Sequence, residues 1–395
     1  SAFLSGVAES TTAVNTVPVR GLTNGTSYSC SVTVVADISD GPTQSITTPT
    51  SVTPVAGSPL FAANWGSRGD LDGEFIGPIG VDVDSAGNVY IADQNNHRIQ
   101  KFASDGTFIT EWGSQGSGDG QFARPAAIAI SDTDDVYVVD GDNYRIQKFT
   151  TDGNFIEKWG TQGSADGEFN TPRSIAVSAT GDVYVLETNN TRIQKFSSDG
   201  TFITRWGSSG SSNGQFQNAR GIAVDPAGNV YVADGSNNRI QVFDSDGTFI
   251  TKWGVAGSGD GQLDNPQGID FDSVGDVYVA EPGNHRVQKF TSEGVFLTKW
   301  GDRGPGYGQI ENPQDIAVAP EGKIYVSDGL DRVQAFGRLP DPPTDVVATP
   351  GTMAVLLSWA PPEFSGIAPI THYTITATPG GSTTSTATTS ATITG

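Results

Sequence analysis

A repeat of 47 residues organises the middle of this chain and constrains its fold more than any other feature. Six tryptophans keep the spacing: Trp65, Trp112, Trp159, Trp206, Trp253 and Trp300. A tyrosine row keeps the same step from Tyr90 to Tyr325, and an arginine row keeps it from Arg98 to Arg286. Repetition at such a period indicates an architecture built from one supersecondary unit.

Each repeat contains four short segments with the alternation of β-strands. In the fourth repeat these segments are Ile222–Asp225, Val230–Ala233, Arg239–Phe243 and Phe249–Trp253. Asp246 and Gly247, between the third and fourth segments, are a tight-hairpin signal. Four antiparallel strands in each of six repeats, without a helical pattern between them, predict an all-β fold. Residues 58–337 are therefore expected to form a six-bladed β-propeller.

The sixth repeat lacks a fourth strand of its own, because the chain runs from Phe336 directly into Pro340. A strand of the same type, Phe61–Trp65, instead precedes the first full repeat. We therefore predict that this N-terminal strand closes the last blade and covers the edges that an open ring would expose.

Parts of the repeats, such as Gly228–Asp234 and Gly257–Leu263, resemble NHL repeats, and the resemblance extends over residues 60–337. It implies the six-bladed fold but no single activity, since one fold serves many functions. Some propellers of this type are lyases that hold zinc with converging histidines. Others bind RNA, which implies a basic face.

Residues 1–56 and 340–395 lie outside the repeat. The first segment, with Tyr28 as a corner tyrosine and an inward Cys30, resembles the later strands of a fibronectin type III domain. The second segment, with Trp359 as its core tryptophan, resembles the opening strands. We expect an incomplete β-sandwich at each end. Three arrangements stay open: the two halves meet within one chain, the halves of separate molecules pair end to end into a filament or surface layer, or the chain is a window of a longer modular protein.

Charge narrows the choice of partners. The chain has 22 Lys and Arg against 44 Asp and Glu, a net charge of −22, of which −18 lies within residues 58–337. Such a field repels phosphate backbones and anionic lipids, and no apolar run reaches the roughly 18 residues that span a bilayer. We expect protein or glycan partners, no nucleic acid and no direct membrane insertion. This fits an extracellular or cell-surface protein, of microbial origin, that serves adhesion or display.

A binding site is sought where one blade differs from the others, because features common to every blade serve the fold. The residue after the proline that precedes the first strand varies: Ile79, Ala126, Arg173, Arg220, Gln267 and Gln314. Two guanidinium groups in neighbouring blades suit a carboxylate or sulfate group. We predict a site at the channel mouth made of Arg173, Arg220, Gln267, Gln314, Asp315 and Tyr144. The open alternative is that both arginines pair with local acids such as Glu187 or Asp315.

An acidic residue ends the second strand of every repeat: Asp93, Asp140, Glu187, Asp234, Glu281 and Asp328. An arginine follows five residues later in five of the six repeats. Because stability needs repetition and a ligand site usually breaks it, we expect structural salt bridges rather than six metal sites.

Catalysis is not expected. The propeller has two histidines, His97 and His285, at equivalent positions of blades one and five. These blades are not neighbours, so a shared tetrahedral zinc site is not predicted, and we interpret the position as free surface. The propeller has no cysteine, and neither histidine lies near a serine that would serve as a nucleophile, so the usual nucleophile arrangements are not expected.

We therefore predict no catalytic residues, no metal ligands and no cofactor, in a non-catalytic binding and scaffolding module. Calcium stays open at the acidic loops Asp70–Asp72 and Asp132–Asp135. The alternative is a lyase or hydrolase of the NHL type with a metal site at the central channel. Stoichiometric zinc or another transition metal in the purified protein would favour that alternative.

Overall fold

The structure is a computed structural model that describes residues 15–18, 29–36, 44–47, 59–337, 343–351, 354–361, 370–378 and 382–394. The chain divides into two compact units. One is Ala63–Phe336, and the other combines Ser1–Ala62 with Gly337–Gly395. Across these described ranges, no helix is long and apolar enough to cross a membrane.

Six four-stranded antiparallel sheets form the blades. The first strands are Pro78–Val83, Pro125–Ile130, Pro172–Val177, Ala219–Val224, Ile269–Phe271 and Asp315–Val318. The second strands are Val89–Asp93, Val136–Asp140, Val183–Glu187, Val230–Asp234, Val277–Glu281 and Ile324–Asp328. The third strands are Arg98–Phe102, Arg145–Phe149, Arg192–Phe196, Arg239–Phe243, Arg286–Phe290 and Arg332–Gly337. The fourth strands are Phe108–Trp112, Phe155–Trp159, Phe202–Trp206, Phe249–Trp253, Phe296–Trp300 and, for blade six, Leu60–Trp65.

Shorter elements lie in the loops. Three 3₁₀ turns, Gln94–Asn96, Gly141–Asn143 and Gly235–Asn237, follow the second strands of blades one, two and four. A small parallel pair joins Ser208–Ser209 to Gln215–Phe216 in the long loop before blade four.

The first strands form the inner ring of the propeller. Each contacts the first strands of the blades on both sides, and that of blade six contacts that of blade one. The strands of each sheet follow one another in order from first to fourth, so the fourth strand is the outer edge. The predicted six-bladed propeller of four-stranded blades is confirmed.

The ring closes through the N-terminal strand, as predicted. The ring of Trp65 lies 5.9 Å from the ring of Phe102 in blade one and 5.9 Å from that of Tyr325 in blade six. The hydroxyl of Tyr325 donates to the carbonyl oxygen of Ser104 in blade one over 3.2 Å. Aromatic packing and this hydrogen bond therefore join the last blade to the first.

The acidic residue at the end of each second strand is fully buried and pairs with an arginine of the third strand. In blade one, Asp93 accepts from Arg98 Nε over 2.9 Å and from the backbone N–H of Ile76 over 2.8 Å. Equivalent ion pairs occur in the other five blades. The carboxylate thus ties the long loop to the blade, and the prediction of repeated structural salt bridges is confirmed.

The terminal unit contains two four-stranded sheets, each with strands from both ends of the chain. One has the order Asn15–Pro18, Ser390–Thr394, Ala354–Ala360 and Thr344–Gly351. The other has the order Gln44–Thr47, Ser29–Ala36, Ile370–Thr378 and Ser382–Thr386. The expectation of a separate incomplete sandwich at each end is revised, because strands of both flanks share the same sheets.

Buried side chains of both sheets meet in this unit. The ring of Trp359 in one sheet packs edge-on against that of Tyr373 in the other, with centroids 5.7 Å apart. The predicted core position of Trp359 is confirmed, since this residue is 6% exposed. The corner tyrosine Tyr28 and the side chain of Cys30 lie outside the described residues, and the fibronectin type III resemblance stays a prediction.

Candidate functional site

Residues of all six blades meet where the first strands begin, around one small cavity. It is lined by Ile79, Ala126, Ala127, Arg173, Ser174, Arg220, Gln267, Gln314 and Asp315. Five of the six residues that the sequence predicted for a channel-mouth site are therefore brought together. The cavity holds about 10 Å³, roughly the space of one water molecule. A larger ligand would consequently bind across this mouth rather than inside the channel.

Arg173 is the principal cation of this mouth. It is partly buried, and in the described part of the chain no acidic side chain forms an ion pair with it. Burial lowers the pKa of its guanidinium to about 10, and the nearby positive charges of Arg220 and Arg124 act in the same direction, against the opposing charge of Asp315. The side chain remains protonated at neutral pH and carries a positive charge that no carboxylate contacts.

Arg220 comes from the next blade and has only weak neutral contacts. Its Nε lies 3.3 Å from the Oδ1 atom of Asn218, and its Nη1 lies 3.5 Å from the Oε1 atom of Gln267. Burial lowers the pKa of this guanidinium as well. Glu187, the acid considered as an alternative partner, instead accepts from Arg192 Nε over 2.5 Å. Among the residues that the structure describes, neither arginine therefore forms the local ion pair that was left open as the alternative.

Three carboxyl groups face one another along the inner ring: Asp82, Asp270 and Asp315. Each accepts a backbone N–H from the first strand of the next blade, over 2.6, 2.7 and 3.2 Å, respectively. Burial raises their pKa values to about 7, about 8 and about 7, and the like charges of these carboxyls add to the increase. Inside the propeller, the carboxyls therefore stay largely protonated below neutral pH.

Sequence reasoning missed Asp82 and Asp270. A signal was present, because the equivalent position is alanine in the other four blades: Ala129, Ala176, Ala223 and Ala317. The aspartates stand out only when the six repeats are aligned with one another and their equivalent positions are compared.

Tyr144 lies in a second pocket beside the channel mouth. This pocket has a volume of about 200 Å³ and is lined by Gln94, Arg124, Ala126, Gly141, Asp142, Tyr144, Thr171, Pro172 and Arg173. The two cavities share Ala126 and Arg173. Of the two predicted arginines, only Arg173 lines this pocket together with Tyr144. Tyr144 is therefore associated with Arg173 in a pocket that is separate from the channel mouth.

Three non-glycine residues that line this pocket have left-handed backbone conformations: Arg124 (φ 57°), Tyr144 (φ 55°) and Thr171 (φ 56°). Arg124 and Thr171 occupy the position that precedes the first strand, where the other four blades have Gly77, Asn218, Asn265 and Asn312. Glycine and asparagine suit this conformation, whereas a β-branched threonine is strained in it. Such strain, of about 1–3 kcal/mol, often accumulates at functional sites. Sequence reasoning missed both residues.

The two propeller histidines have a structural role, and their interpretation as free surface was wrong. His97 Nδ1 accepts the backbone N–H of Arg124 over 3.1 Å, and His285 Nδ1 accepts that of Asn312 over 3.2 Å. Asn238 makes the same link with its Oδ1 atom, over 2.8 Å to Asn265. Each side chain therefore holds the backbone of the following blade.

Within the ranges that the structure describes, no three His, Cys, Asp or Glu side chains come together in a way that could hold a metal ion. In the acidic loop Asp132–Asp135, Asp134 instead accepts from the backbone N–H and the hydroxyl of Ser85, over 2.9 and 2.7 Å.

The NHL repeat model matches residues 75–102, 122–149, 169–196, 216–243 and 263–290. These segments are NHL repeats. Each covers the first three strands of one blade, from blade one to blade five. The resemblance proposed from the sequence is thus confirmed for these parts of blades one to five.

Among curated proteins, the B-box type zinc finger protein ncl-1 of Caenorhabditis elegans is 40% identical over 47 residues. This alignment covers 12% of the present chain and 6% of that protein. The similarity thus concerns a segment as long as one 47-residue repeat of this chain, in a protein many times longer than the match.

Solved structures are similar to this chain at low sequence identity. A Bacteroides thetaiotaomicron protein of unknown function is 15% identical, with a TM-score of 0.56, over 78% of this chain and 90% of that one. A streptogramin B lyase is 15% identical, with a TM-score of 0.49, over 66% of this chain and 93% of that one. Catalytically inactive virginiamycin B lyase from Staphylococcus aureus, with quinupristin, is also 15% identical, with a TM-score of 0.49, over 78% and 88%.

Proposed function

We propose that this NHL propeller is a non-catalytic binding and scaffolding module that holds an anionic group of a protein or glycan ligand at its channel mouth. The observation that carries the proposal is Arg173, a partly buried guanidinium with no carboxylate in contact among the described residues. Leaving such a group unpaired is costly. A carboxylate or sulfate group of a ligand would supply the missing partner.

Arg220 strengthens the proposal because it adds a second positive charge beside the first. Two guanidinium groups repel each other, and an anion between them would relieve that repulsion. Planar guanidinium groups also match the geometry of carboxylate and sulfate oxygens. Gln267 and Gln314 complete the mouth with neutral polar groups that would orient a ligand without neutralising the arginines.

Arg173→Gln and Arg220→Gln test the proposal, since blades five and six already carry glutamine at this position. Titration calorimetry with sodium sulfate and sodium acetate is expected to show binding to the wild-type protein. Each substitution should weaken it by about tenfold or more. Arg205→Gln, at an exposed position of blade three, is the matched control because it removes the same charge elsewhere. Binding that is unchanged in the double variant, or weakened equally by the control, would contradict the proposal.

We also propose that the protein acts outside the cell, on a microbial surface, where copies associate through their terminal strands. The acidic surface supports a soluble display unit rather than a nucleic acid partner. Within one chain, Ser29–Ala36 pairs with Ile370–Thr378 and Asn15–Pro18 pairs with Ser390–Thr394. An exchange of these strands between chains would keep the same register and link copies head to tail.

Static light scattering tests this association over a range of protein concentrations. A mass that grows with concentration would support strand exchange, and a constant monomer mass at every concentration would contradict it. Fractionation of the source cells, with detection of the native protein, tests its location.

A further inference from the structure

The pocket around Tyr144 is a second space, next to the mouth at which we place the anion. Its volume of about 200 Å³ far exceeds the 10 Å³ of the channel cavity. Arg173 lines both spaces. A ligand group held by Arg173 can therefore continue into this pocket, which makes the pocket the natural place for the remainder of the ligand.

Positive charge is concentrated on one part of the pocket. Arg124 and Arg173 both line it, and the charge of Arg124 contributes to the lowered pKa of Arg173. Among the described residues no carboxylate forms an ion pair with Arg124: its Nη2 lies 2.9 Å from the Oε1 atom of Gln94, and its backbone N–H donates to His97 Nδ1. An anionic group at Arg173 would therefore also be attracted by Arg124.

An aromatic surface is provided by Tyr144. Its ring is partly buried against the core between blades two and three, and it also lines the pocket. The backbone N–H of Tyr144 donates to the carbonyl oxygen of Gly141 over 3.2 Å, which fixes the base of the side chain. The ring is thus a pre-positioned flat surface, and such surfaces in polar pockets suit rings that have an apolar face and polar edges.

The remaining lining is mainly polar. Gln94, Asp142 and Thr171 offer amide, carboxylate and hydroxyl groups, while Ala126 and Pro172 are the small apolar contributors. The side-chain oxygens of Asp142 offer hydrogen-bond acceptors. They therefore favour a ligand with several hydroxyl donors over an apolar peptide side chain.

We propose that the pocket formed by Arg124, Tyr144, Thr171 and Arg173 binds an acidic sugar residue, with its carboxylate on Arg173 and its ring on Tyr144. This proposal rests on the proposed function, because it uses the same anion-binding arginine. It names the ligand class as a carboxylated glycan. A ligand of this class carries a negative charge that can pair with the arginines. It also carries hydroxyl groups that the polar residues of the pocket can bind.

The test uses trigalacturonate, its neutral counterpart galactotriose, and inorganic sulfate as three separate probes for calorimetry on the full chain. Tyr144→Asn is the informative variant. Blade four carries Asn238 at this position with φ 51°, so asparagine keeps the backbone conformation. Thermal melting of each variant checks that the fold is retained.

The wild-type protein is expected to bind trigalacturonate at least about tenfold more tightly than galactotriose. Tyr144→Asn should weaken the binding of trigalacturonate by about tenfold and leave the affinity for sulfate unchanged. Arg173→Gln should weaken the binding of both anionic probes, trigalacturonate and sulfate. Equal affinity for the acidic and neutral sugars, or no effect of Tyr144→Asn on trigalacturonate, would overturn the proposal.

Failure of this proposal can be distinguished from failure of the proposed function. If sulfate binding depends on Arg173 while the affinity for trigalacturonate does not change in Tyr144→Asn, the anion site is supported and the sugar pocket is wrong. If a peptide with a free terminal carboxylate binds more tightly than trigalacturonate and depends on Tyr144, the ligand class is wrong. If neither anionic probe depends on Arg173, both proposals fall.

Discussion

The Nδ1 atom of His97 accepts a hydrogen bond from the backbone N–H of Arg124 over 3.1 Å, so a side chain of blade one holds the backbone of blade two. Asp331 makes the corresponding link from blade six to blade one, with its Oδ1 atom 2.7 Å from the backbone nitrogen of Gly77. The residue types differ, but each provides an acceptor for the left-handed residue that precedes the next first strand. In blades one, four, five and six the residue type at this position differs, while its role as an acceptor for the next blade is kept.

This link predicts how substitutions of His97 behave. His97→Ala removes the acceptor and should lower the free energy of unfolding of the propeller by about 1 kcal/mol. His97→Asn should be nearly neutral, because Asn238 already makes this bond in blade four. Urea unfolding followed by tryptophan fluorescence measures both. Equal destabilisation by alanine and asparagine would show that the acceptor role is wrong.

Ring closure predicts that Trp65 is as important as the tryptophans inside the repeat. Its ring packs between Phe102 and Tyr325, at the joint of blades one and six. Trp65→Ala should lower the free energy of unfolding by about 3 kcal/mol, near the lower end for aromatic truncation. Trp112→Ala, at the same position of blade one, is the matched control. If Trp65→Ala lowers the free energy of unfolding far less than the control does, the N-terminal strand is only loosely attached.

The blades and their closure were predictable because they depend on patterns within one repeat. The tryptophan spacing and the missing fourth strand after Phe336 are both visible along the chain. The candidate site was predictable only in part. Arg173 and Arg220 carry a charge that the other four blades lack at the equivalent position, whereas Asp82 resembles an ordinary polar residue of an alternating strand. Its burial against the next blade becomes apparent only in three dimensions.

The pairing of the terminal strands was not predictable for a different reason. Ser29–Ala36 pairs with Ile370–Thr378 across the whole length of the propeller sequence. Strand pairing over such a separation leaves no local pattern, because alternation specifies which face is buried but not which strand lies beside it.

The strained threonine predicts that replacing it stabilises the protein. Thr171→Asn places the residue that three other blades use in the same left-handed conformation and should raise the free energy of unfolding by about 1 kcal/mol. Asn312→Thr makes the reverse change in blade six, where φ is 57°, and should lower it by a similar amount. Thermal or urea unfolding measures both. Destabilisation by Thr171→Asn would show that the threonine is not strained.

The buried carboxyls predict that stability depends on pH. Burial raises the pKa of Asp82 to about 7 and that of Asp270 to about 8, from an ordinary value of 3.8. Between these limits the folded state binds more protons than the unfolded state. The free energy of unfolding should therefore fall as pH rises from about 4 to about 8 and change little above that.

Asp270→Asn should reduce this dependence, because an amide does not ionise, and should stabilise the protein by on the order of 1–3 kcal/mol at about pH 8. Asp132→Asn, at an exposed position, is the control. Unfolding curves at several pH values measure the effect. A stability that rises over this pH range, or an unchanged slope in Asp270→Asn, would contradict the prediction.

The final prediction joins the carboxyls to the proposed anion site. Asp315 lines the same cavity as Arg173 and opposes its charge, and burial raises the pKa of Asp315 to about 7. Asp82 and Asp270 act on Asp315 through like charge, while Arg220 and Arg124 surround Arg173. Below pH 7 the Asp315 carboxyl is largely neutral, and the arginines attract an anion without opposition. Above pH 7 its negative charge offsets part of that attraction.

Sulfate affinity should therefore fall by on the order of fivefold between about pH 6 and about pH 8. Sulfate itself keeps its charge over this range, and Arg173, with a pKa of about 10, stays protonated. Asp315→Asn should remove most of the change and hold the affinity near its value at low pH. Calorimetric titrations at the two pH values, on the wild-type protein and on this variant, measure the effect. An affinity that rises with pH, or one that falls equally in Asp315→Asn, would show that this carboxyl does not control the charge at the channel mouth.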